Sequence, residues 1–100
     1  MSPINNKELL TRIKNGESLN LLDVRESIEY HTYNIGGTNM PLSTLNSNIN
    51  QLGYNKTDEI IVICKMGLRS QTAATILTEH GYLQVRNLTG GLIAMQKLKQ

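Results

Sequence analysis

Residues 60–70 read Ile-Ile-Val-Ile-Cys-Lys-Met-Gly-Leu-Arg-Ser, and this stretch decides the fold. An unbroken run of β-branched residues predicts a parallel strand that is buried on both faces. The only cysteine of the chain, Cys64, follows that strand directly. A short loop with a central glycine, Gly67, comes next, and helical periodicity begins near Ser70. The stretch therefore predicts a strand, a loop and a helix, with a thiol where the strand ends.

Outward from this stretch, short apolar runs alternate with segments of helical periodicity. Further strands are predicted at residues 19–24 and 83–88, with a turn and a short strand at 35–41. Helices are predicted at 27–33, 42–52 and 70–80, one before Gly16 capped by Asn5 and Glu8, and one after Gly91. This alternation favours an α/β domain with a mostly parallel sheet, in which ligands gather beyond the carboxyl ends of the strands.

Composition and charge narrow the class of protein. A chain of 100 residues fits a single domain over residues 1–100. A net charge of +2 is too small to predict a nucleic-acid partner. No apolar run approaches the ~20 residues that span a bilayer, and the first residues lack the apolar core of a secretory signal. We therefore expect a cytoplasmic protein with no membrane contact.

One cysteine cannot form an intramolecular disulfide or a cysteine-rich metal cluster. No spacing of His, Asp and Glu suggests a metal site either, so we expect neither a metal nor a cofactor. His31 is expected to be exposed. His80 lies in the last turn of a predicted helix, where a cation is favoured, and is given no catalytic role.

The loop after the strand has the features of an anion cradle. Gly67 permits backbone angles that let the loop curl, so that its N–H groups turn inward. The positive end of the following helix adds to the field at the sulfur, and Lys65 and Arg69 add formal charge. Each of these favours the thiolate, so the pKa of Cys64 is expected to lie below that of a free thiol. The thiolate is the nucleophilic form.

A structural interpretation competes with this one. A cysteine at the end of an Ile/Val strand is often only a small buried apolar residue. When Gly67, Arg69 and the helix start are added, the structural and the catalytic interpretations are about equally supported.

Residues around the loop resemble single-domain rhodanese-like proteins. Residues 64–70, Cys-Lys-Met-Gly-Leu-Arg-Ser, resemble the active-site loop of that family. Residues 21–25, Leu-Leu-Asp-Val-Arg, resemble its early strand, and residues 29–42 resemble its Gly/Pro turn region. Residues 81–94 resemble its closing strand and Gly-Gly helix start. The similarities occur in the same order as in the family and cover nearly the whole chain.

The resemblance implies a five-stranded, mostly parallel sheet with helices on both faces. It also implies a sulfurtransferase that receives a sulfane sulfur from a small donor, such as thiosulfate or a persulfide. The sulfur would then pass to cyanide or to a thiol, including that of an acceptor protein. Cys64 would carry it as a persulfide, with a cradle formed by Lys65, Met66, Gly67, Leu68 and Arg69.

Other residues of this region are given supporting roles or left open. Asp23 would pair with Arg69 or Arg25, or else cap the next helix. Arg25 would support the site, or form a solvated turn with Glu26. Ser70 would support the site from the helix start. The side chains of Met66 and Leu68 would form an apolar rim suited to a thiol-bearing partner.

The resemblance leaves two alternatives. Cell-cycle dual-specificity phosphatases share the fold but have one more residue between cysteine and arginine; here four residues separate Cys64 from Arg69. That spacing disfavours a phosphatase or an arsenate reductase. A non-catalytic binding or regulatory module is the other alternative, and it is disfavoured because Cys64, Gly67 and Arg69 are all present.

The chain departs from the family pattern at three places. The family often has Gly-His where residues 33 and 34 are Tyr-Asn, and the turn between Gly37 and Pro41 is one residue short. Both changes are expected to reshape the rim of the pocket. Met95 replaces a tryptophan of the last helix and is expected to fill the core.

Overall fold

The computed structural model describes residues 1–98, and these form one five-stranded sheet in which every neighbouring pair of strands is parallel. The strands are β1 (Ser2–Ile4), β2 (Leu21–Asp23), β3 (Thr38–Asn39), β4 (Glu59–Ile63) and β5 (Gln84–Leu88). The helices are α1 (Asn6–Lys14), α2 (Ser27–Thr32), α3 (Leu42–Asn48), α4 (Leu68–Glu79) and α5 (Gly91–Leu98), with a 3₁₀ turn at Ile49–Gln51. The strand order is β1-β5-β4-β2-β3, which confirms the predicted α/β class and its parallel sheet.

The central strand β4 explains why the sheet is covered on both faces. Its alternate residues enter two separate cores. Ile60 and Val62 pack with Leu45 and Leu77, on the side of α3 and α4. Ile61 and Ile63 pack on the other side with residues of α1 and α5, namely Leu9, Leu92 and Met95. Each fully buried isoleucine stabilises the fold by about 1.5–3 kcal/mol, and the predicted core role of Met95 is confirmed.

The strand β1 was not predicted from the sequence. It pairs in parallel with β5, with Ser2 opposite Arg86 and Ile4 opposite Leu88. Pro3 lacks an N–H group and so weakens any local strand signal, but a strand at the edge of a sheet tolerates it. Burial of Ile4 against the second core holds this segment in place.

The start of α1 matches half of the predicted capping box. The side chain of Asn5 accepts the backbone N–H of Glu8 at 2.7 Å. The Glu8 carboxylate does not return to Asn5, because it accepts a hydrogen bond from Arg86 at 2.6 Å instead. A contact between residues far apart in sequence has replaced the local one.

The structure moves the start of one predicted helix, at the sulfur-bearing loop, and of one predicted strand, at the opposite edge of the sheet. The helix α4 begins at Leu68, two residues before the predicted start at Ser70, because Gly67 already acts as its N-cap residue. The strand β5 begins at Gln84 rather than at Leu83, whose side chain is exposed.

Among the described residues, no helix combines the length and the apolar character needed to cross a membrane.

Candidate active site

Cys64 directly follows the carboxyl end of the central strand β4, close to the start of α4. Its Sγ accepts the backbone N–H of Gly67 at 3.0 Å and that of Ser70 at 3.3 Å. The Ser70 hydroxyl oxygen lies 3.2 Å from the same sulfur. The inward-facing N–H groups predicted for this loop are therefore present.

Gly67 makes this curl possible. Its φ is +102°, in the left-handed region that side chains disfavour. Because of that turn, the chain reverses within the loop and α4 points its N-terminal N–H groups at the sulfur. A residue with a side chain at this position would strain the backbone that aims the hydrogen bonds.

Two opposing effects set the pKa of Cys64. Burial of the thiol penalises the charged form and raises the pKa. Hydrogen bonds from the Ser70 hydroxyl and from the N–H groups of Ser70, Gly67 and Met66 stabilise the thiolate, and together they outweigh burial. The pKa of Cys64 therefore lies below its ordinary value, in the direction that the sequence predicted.

The helix α5 anchors the loop from its other side. The N–H of Leu92 donates to the carbonyl of Cys64 at 3.0 Å, and that of Ile93 donates to the carbonyl of Lys65 at 3.1 Å. A Cβ atom on Gly91 would come within 2.4 Å of the Lys65 carbonyl oxygen. In the sequence, Gly90-Gly91 indicated only where the last helix starts, but Gly91 also lets α5 approach the loop backbone closely.

Arg69 lines the cavity at the sulfur with three other predicted cradle residues, but its guanidinium is paired with a carboxylate. Its two terminal nitrogens donate to the Glu29 carboxylate of α2 at 2.6 and 2.9 Å, and not to the sulfur. This pairing holds the pKa of Glu29 at about 2, with the Arg69 hydrogen bond as the main cause. The positive charge expected next to the thiolate is therefore largely matched by a carboxylate.

Asp23 and Arg25 form a buried ion pair behind the loop. Arg25 is 6% exposed, and its guanidinium donates to Asp23 Oδ2 at 2.7 Å and to the Tyr33 carbonyl at 2.6 Å. Of the alternatives left open for Asp23, pairing with Arg25 is the one observed. The helix-cap alternative is wrong because Glu26 caps α2, and the solvated-turn alternative is wrong for Arg25 because Arg25 is buried.

The sulfur opens onto a small cavity, and a groove lies beside it. The cavity has a volume of about 190 Å³ and is lined by residues 64–66, 68 and 69. Met66 and Leu68 are 62% and 73% exposed, so an apolar rim is present as expected. The groove, of about 310 Å³, lies between α2 and α5 and shares Lys65 with the cavity. Tyr33, one of the two residues of the Tyr33-Asn34 departure, lines this groove.

The chain also matches a known protein family. The family described as rhodanese-like domain matches residues 5–98. The chain belongs to the rhodanese-like family. It is 39% identical over 82 residues to YrkF of Bacillus subtilis, named as a candidate sulfur carrier, covering 81% of this chain and 43% of that protein. The chain thus spans less than half the length of YrkF.

Other relatives of this rhodanese-like chain are closer to it in length. It is 38% identical over 81 residues to the thiosulfate sulfurtransferase PspE of Escherichia coli, covering 78% of this chain and 77% of PspE. Its fold matches the human single-domain sulfurtransferase TSTD1 with a TM-score of 0.82 at 25% identity, over 100% of this chain and 98% of that structure.

Three residues at the site of this rhodanese-like chain were not predicted from the sequence. Glu29 of α2 pairs with Arg69, and Asn87 of β5 accepts the Ser70 hydroxyl. Gly91 allows the start of α5 to lie against the loop backbone. The Gly-Gly pair was the only available signal for Gly91. Glu29 and Asn87 carry no local signal, because their partners are 40 and 17 residues away along the chain.

Proposed function

We propose that this chain is a sulfurtransferase that carries a sulfane sulfur as a persulfide on Cys64. One observation supports this most: the sulfur lies among N–H donors and a hydroxyl, with its pKa lowered. A thiolate formed in this way is a nucleophile without a general base.

In the first half-reaction, the Cys64 thiolate attacks the outer sulfur of thiosulfate. An S–S bond forms to Cys64, the S–S bond of thiosulfate breaks, and sulfite leaves with the bonding electron pair. Three negative charges enter and three remain, one on the persulfide and two on sulfite. The N–H groups of the loop are positioned to stabilise the charge on the sulfur during this transfer.

In the second half-reaction, a thiolate or cyanide attacks the outer sulfur of the persulfide. The Cys64–sulfur bond breaks and its electron pair returns to Cys64, so the starting thiolate is regenerated. The exposed apolar rim of Met66 and Leu68 suits an acceptor that brings its thiol on an apolar surface. Two half-reactions that share one covalent intermediate should give ping-pong kinetics.

Mass spectrometry of the intact protein tests this proposal. After exposure to thiosulfate, or to a small organic persulfide, the chain should gain the mass of one sulfur atom and lose it again on addition of cyanide. The chain has one cysteine, so the site of addition is unambiguous. Cys64→Ser is the matched variant, because it changes one atom and should gain no sulfur.

Circular dichroism and the midpoint of urea unfolding should show that Cys64→Ser remains folded. Sulfur transfer by folded Cys64→Ser at the native rate would rule the proposal out. Failure of the native protein to take sulfur from either class of donor would also rule it out, and would favour a binding module.

A further inference from the structure

Asn87 of β5 contacts the sulfur-bearing loop with both ends of its side-chain amide. Its Nδ2 donates to the Gly67 carbonyl at 3.3 Å, and its Oδ1 accepts the Ser70 hydroxyl. The Gly67 carbonyl can only accept hydrogen bonds, so the amide nitrogen must face it and the amide oxygen must face Ser70. The neighbours of Asn87 therefore fix its orientation.

The Ser70 hydroxyl has one proton and three acceptors within reach. Besides Asn87 Oδ1, the Gly67 carbonyl and Cys64 Sγ each lie 3.2 Å from Ser70 Oγ. The Gly67 carbonyl already accepts the N–H of Gln71 at 3.2 Å in addition to Asn87 Nδ2. A carbonyl oxygen has two lone pairs, so this acceptor is already filled. The hydroxyl can therefore donate its proton either to Asn87 Oδ1 or to Cys64 Sγ.

The charge on the sulfur decides this competition. When Cys64 is a thiol, its S–H can donate to Ser70 Oγ while Ser70 donates to Asn87, and every group is satisfied. When Cys64 is a thiolate, it cannot donate and is the stronger acceptor, because hydrogen bonds to charged groups exceed neutral ones. The hydroxyl must then rotate from Asn87 to the sulfur.

We propose that Asn87 is a positioning residue for Cys64: it holds the Ser70 hydroxyl whenever Sγ is uncharged and releases it when charge returns to that atom. Asn87 therefore disfavours the thiolate slightly, and it acts only through Ser70. In exchange, the hydroxyl has a partner at every stage and is never left buried without one.

This assignment has a consequence for the catalytic cycle, which rests on the proposed persulfide function. In the persulfide the negative charge lies on the outer sulfur, so Sγ is uncharged and the Ser70 hydroxyl donates to Asn87. When the outer sulfur departs, the electron pair returns to Sγ, and the hydroxyl can rotate to donate to Sγ and stabilise its charge. Ser70→Ala should therefore slow sulfur release more than sulfur loading.

The test is a titration of Cys64 in a double-mutant cycle, followed by the ultraviolet absorbance of the thiolate against pH. The proteins are the native chain, Asn87→Leu, Ser70→Ala and the double variant. We expect Asn87→Leu to raise the acid dissociation constant of Cys64 by about three- to tenfold, and Ser70→Ala to lower it by a similar factor. In the Ser70→Ala background, Asn87→Leu should have no effect.

Two outcomes would overturn the assignment. The first is an unchanged or lowered dissociation constant in Asn87→Leu. The second is an equal shift with and without the Ser70 hydroxyl, because that would mean that Asn87 acts directly on the sulfur or through the loop backbone.

A second variant guards against loop damage, since Asn87→Leu also loses the hydrogen bond to Gly67. Asn87→Asp keeps the size of the side chain and presents a stronger acceptor to Ser70, so the dissociation constant should fall, and fall less in the Ser70→Ala background. An equal fall in both backgrounds would contradict the proposal. The titration requires no sulfur donor, so it tests the role of Asn87 even in a protein that forms no persulfide. Conversely, a double-mutant cycle that contradicts the role of Asn87 leaves the proposed sulfur transfer intact.

Discussion

The loop of residues 64–70 stabilises charge in a different way from the two ion pairs beside it, Asp23–Arg25 and Glu29–Arg69. In the loop, backbone N–H groups and one hydroxyl surround the sulfur. In the ion pairs, each guanidinium is matched by a carboxylate. Stabilisation of the sulfur thus depends on backbone geometry, whereas the charge that an approaching molecule meets depends on side chains. A change in the loop backbone should abolish reactivity, while a change in an ion pair should only adjust it.

Gly91→Ala should have the largest effect on the reactivity of Cys64, because its Cβ would meet the backbone of Lys65 and Met66 at 2.4–2.6 Å. We expect destabilisation by about 2–4 kcal/mol, from overpacking and from side-chain strain at a φ of +60°. Alkylation of Cys64 by iodoacetamide should slow by at least about tenfold, because displaced N–H groups no longer favour the thiolate. Urea unfolding and alkylation kinetics measure the two effects.

Gly16→Ala is the matched control for that substitution. Gly16 also has a positive φ, +76°, but nothing lies within 4 Å of the Cβ position. It should show the backbone strain without the slower alkylation. Equal alkylation rates in the two variants would mean that α5 does not hold the loop.

Asp23→Asn should have the largest effect on stability, because it leaves the buried Arg25 guanidinium without its counter-charge. Removing one partner of a buried pair costs about 3–5 kcal/mol. Glu17→Gln is the control, since it removes a half-exposed partner of Arg12 and should cost at most about 1 kcal/mol. Urea unfolding of both variants compares them, and similar losses would show that the Asp23–Arg25 pair contributes no more than a surface one.

The lowered pKa of Cys64 predicts a modest dependence of stability on pH. A group whose pKa is lower in the folded state stabilises the fold above its unfolded pKa, about 8.5 for a thiol. That contribution is lost as the pH falls through the folded pKa. The free energy of unfolding of the native chain should therefore rise relative to Cys64→Ser between neutral pH and about pH 9.5. A constant difference across that range would show that the loop does not favour the thiolate.

Glu29→Gln should have the smallest effect on stability, under about 1 kcal/mol, because the pair with Arg69 is partly exposed. It should free the Arg69 charge, lower the KM for dianionic thiosulfate several-fold, and lose that advantage at high salt. Glu79→Gln makes the same change in net charge at the far end of α4 and should leave the KM unchanged. Steady-state kinetics at two salt concentrations decides this, and an equal KM change in both variants would assign it to net charge alone.

The parts of the fold that could be predicted from the sequence are those in which neighbours along the chain decide the structure. The buried strand β4, the loop glycine Gly67 and the thiol at Cys64 lie within a few residues of each other, so one stretch carried their signal. The N–H groups that approach the sulfur come from Gly67 and Ser70, three and six residues away from it. Local sequence therefore predicted the cradle and the direction of the cysteine pKa.

The parts that could not be predicted depend on contacts between distant segments. The strand β1 exists because Ile4 is buried and β5 offers a free edge, and neither is visible in residues 1–6. The charge of Arg69 was expected to act on the sulfur, but the Glu29 carboxylate of α2 pairs with its guanidinium. In the sequence, Asn87 looks like any polar residue of a strand. Its contact with the loop follows only from the pairing of β5 with β4. In each case the partner was fixed by how distant segments pack together in the fold, which periodicity does not reveal.

The near-complete cover over Cys64, which is 1% exposed, should also govern how the protein ages in air. Two copies could join through a disulfide only by bringing their sulfur atoms to about 2.05 Å. The residues that line the cavity of each copy would collide before that distance was reached. A slim oxidant such as hydrogen peroxide meets no such obstacle. Damage should therefore appear as oxygen added to single chains, while covalent dimers stay rare.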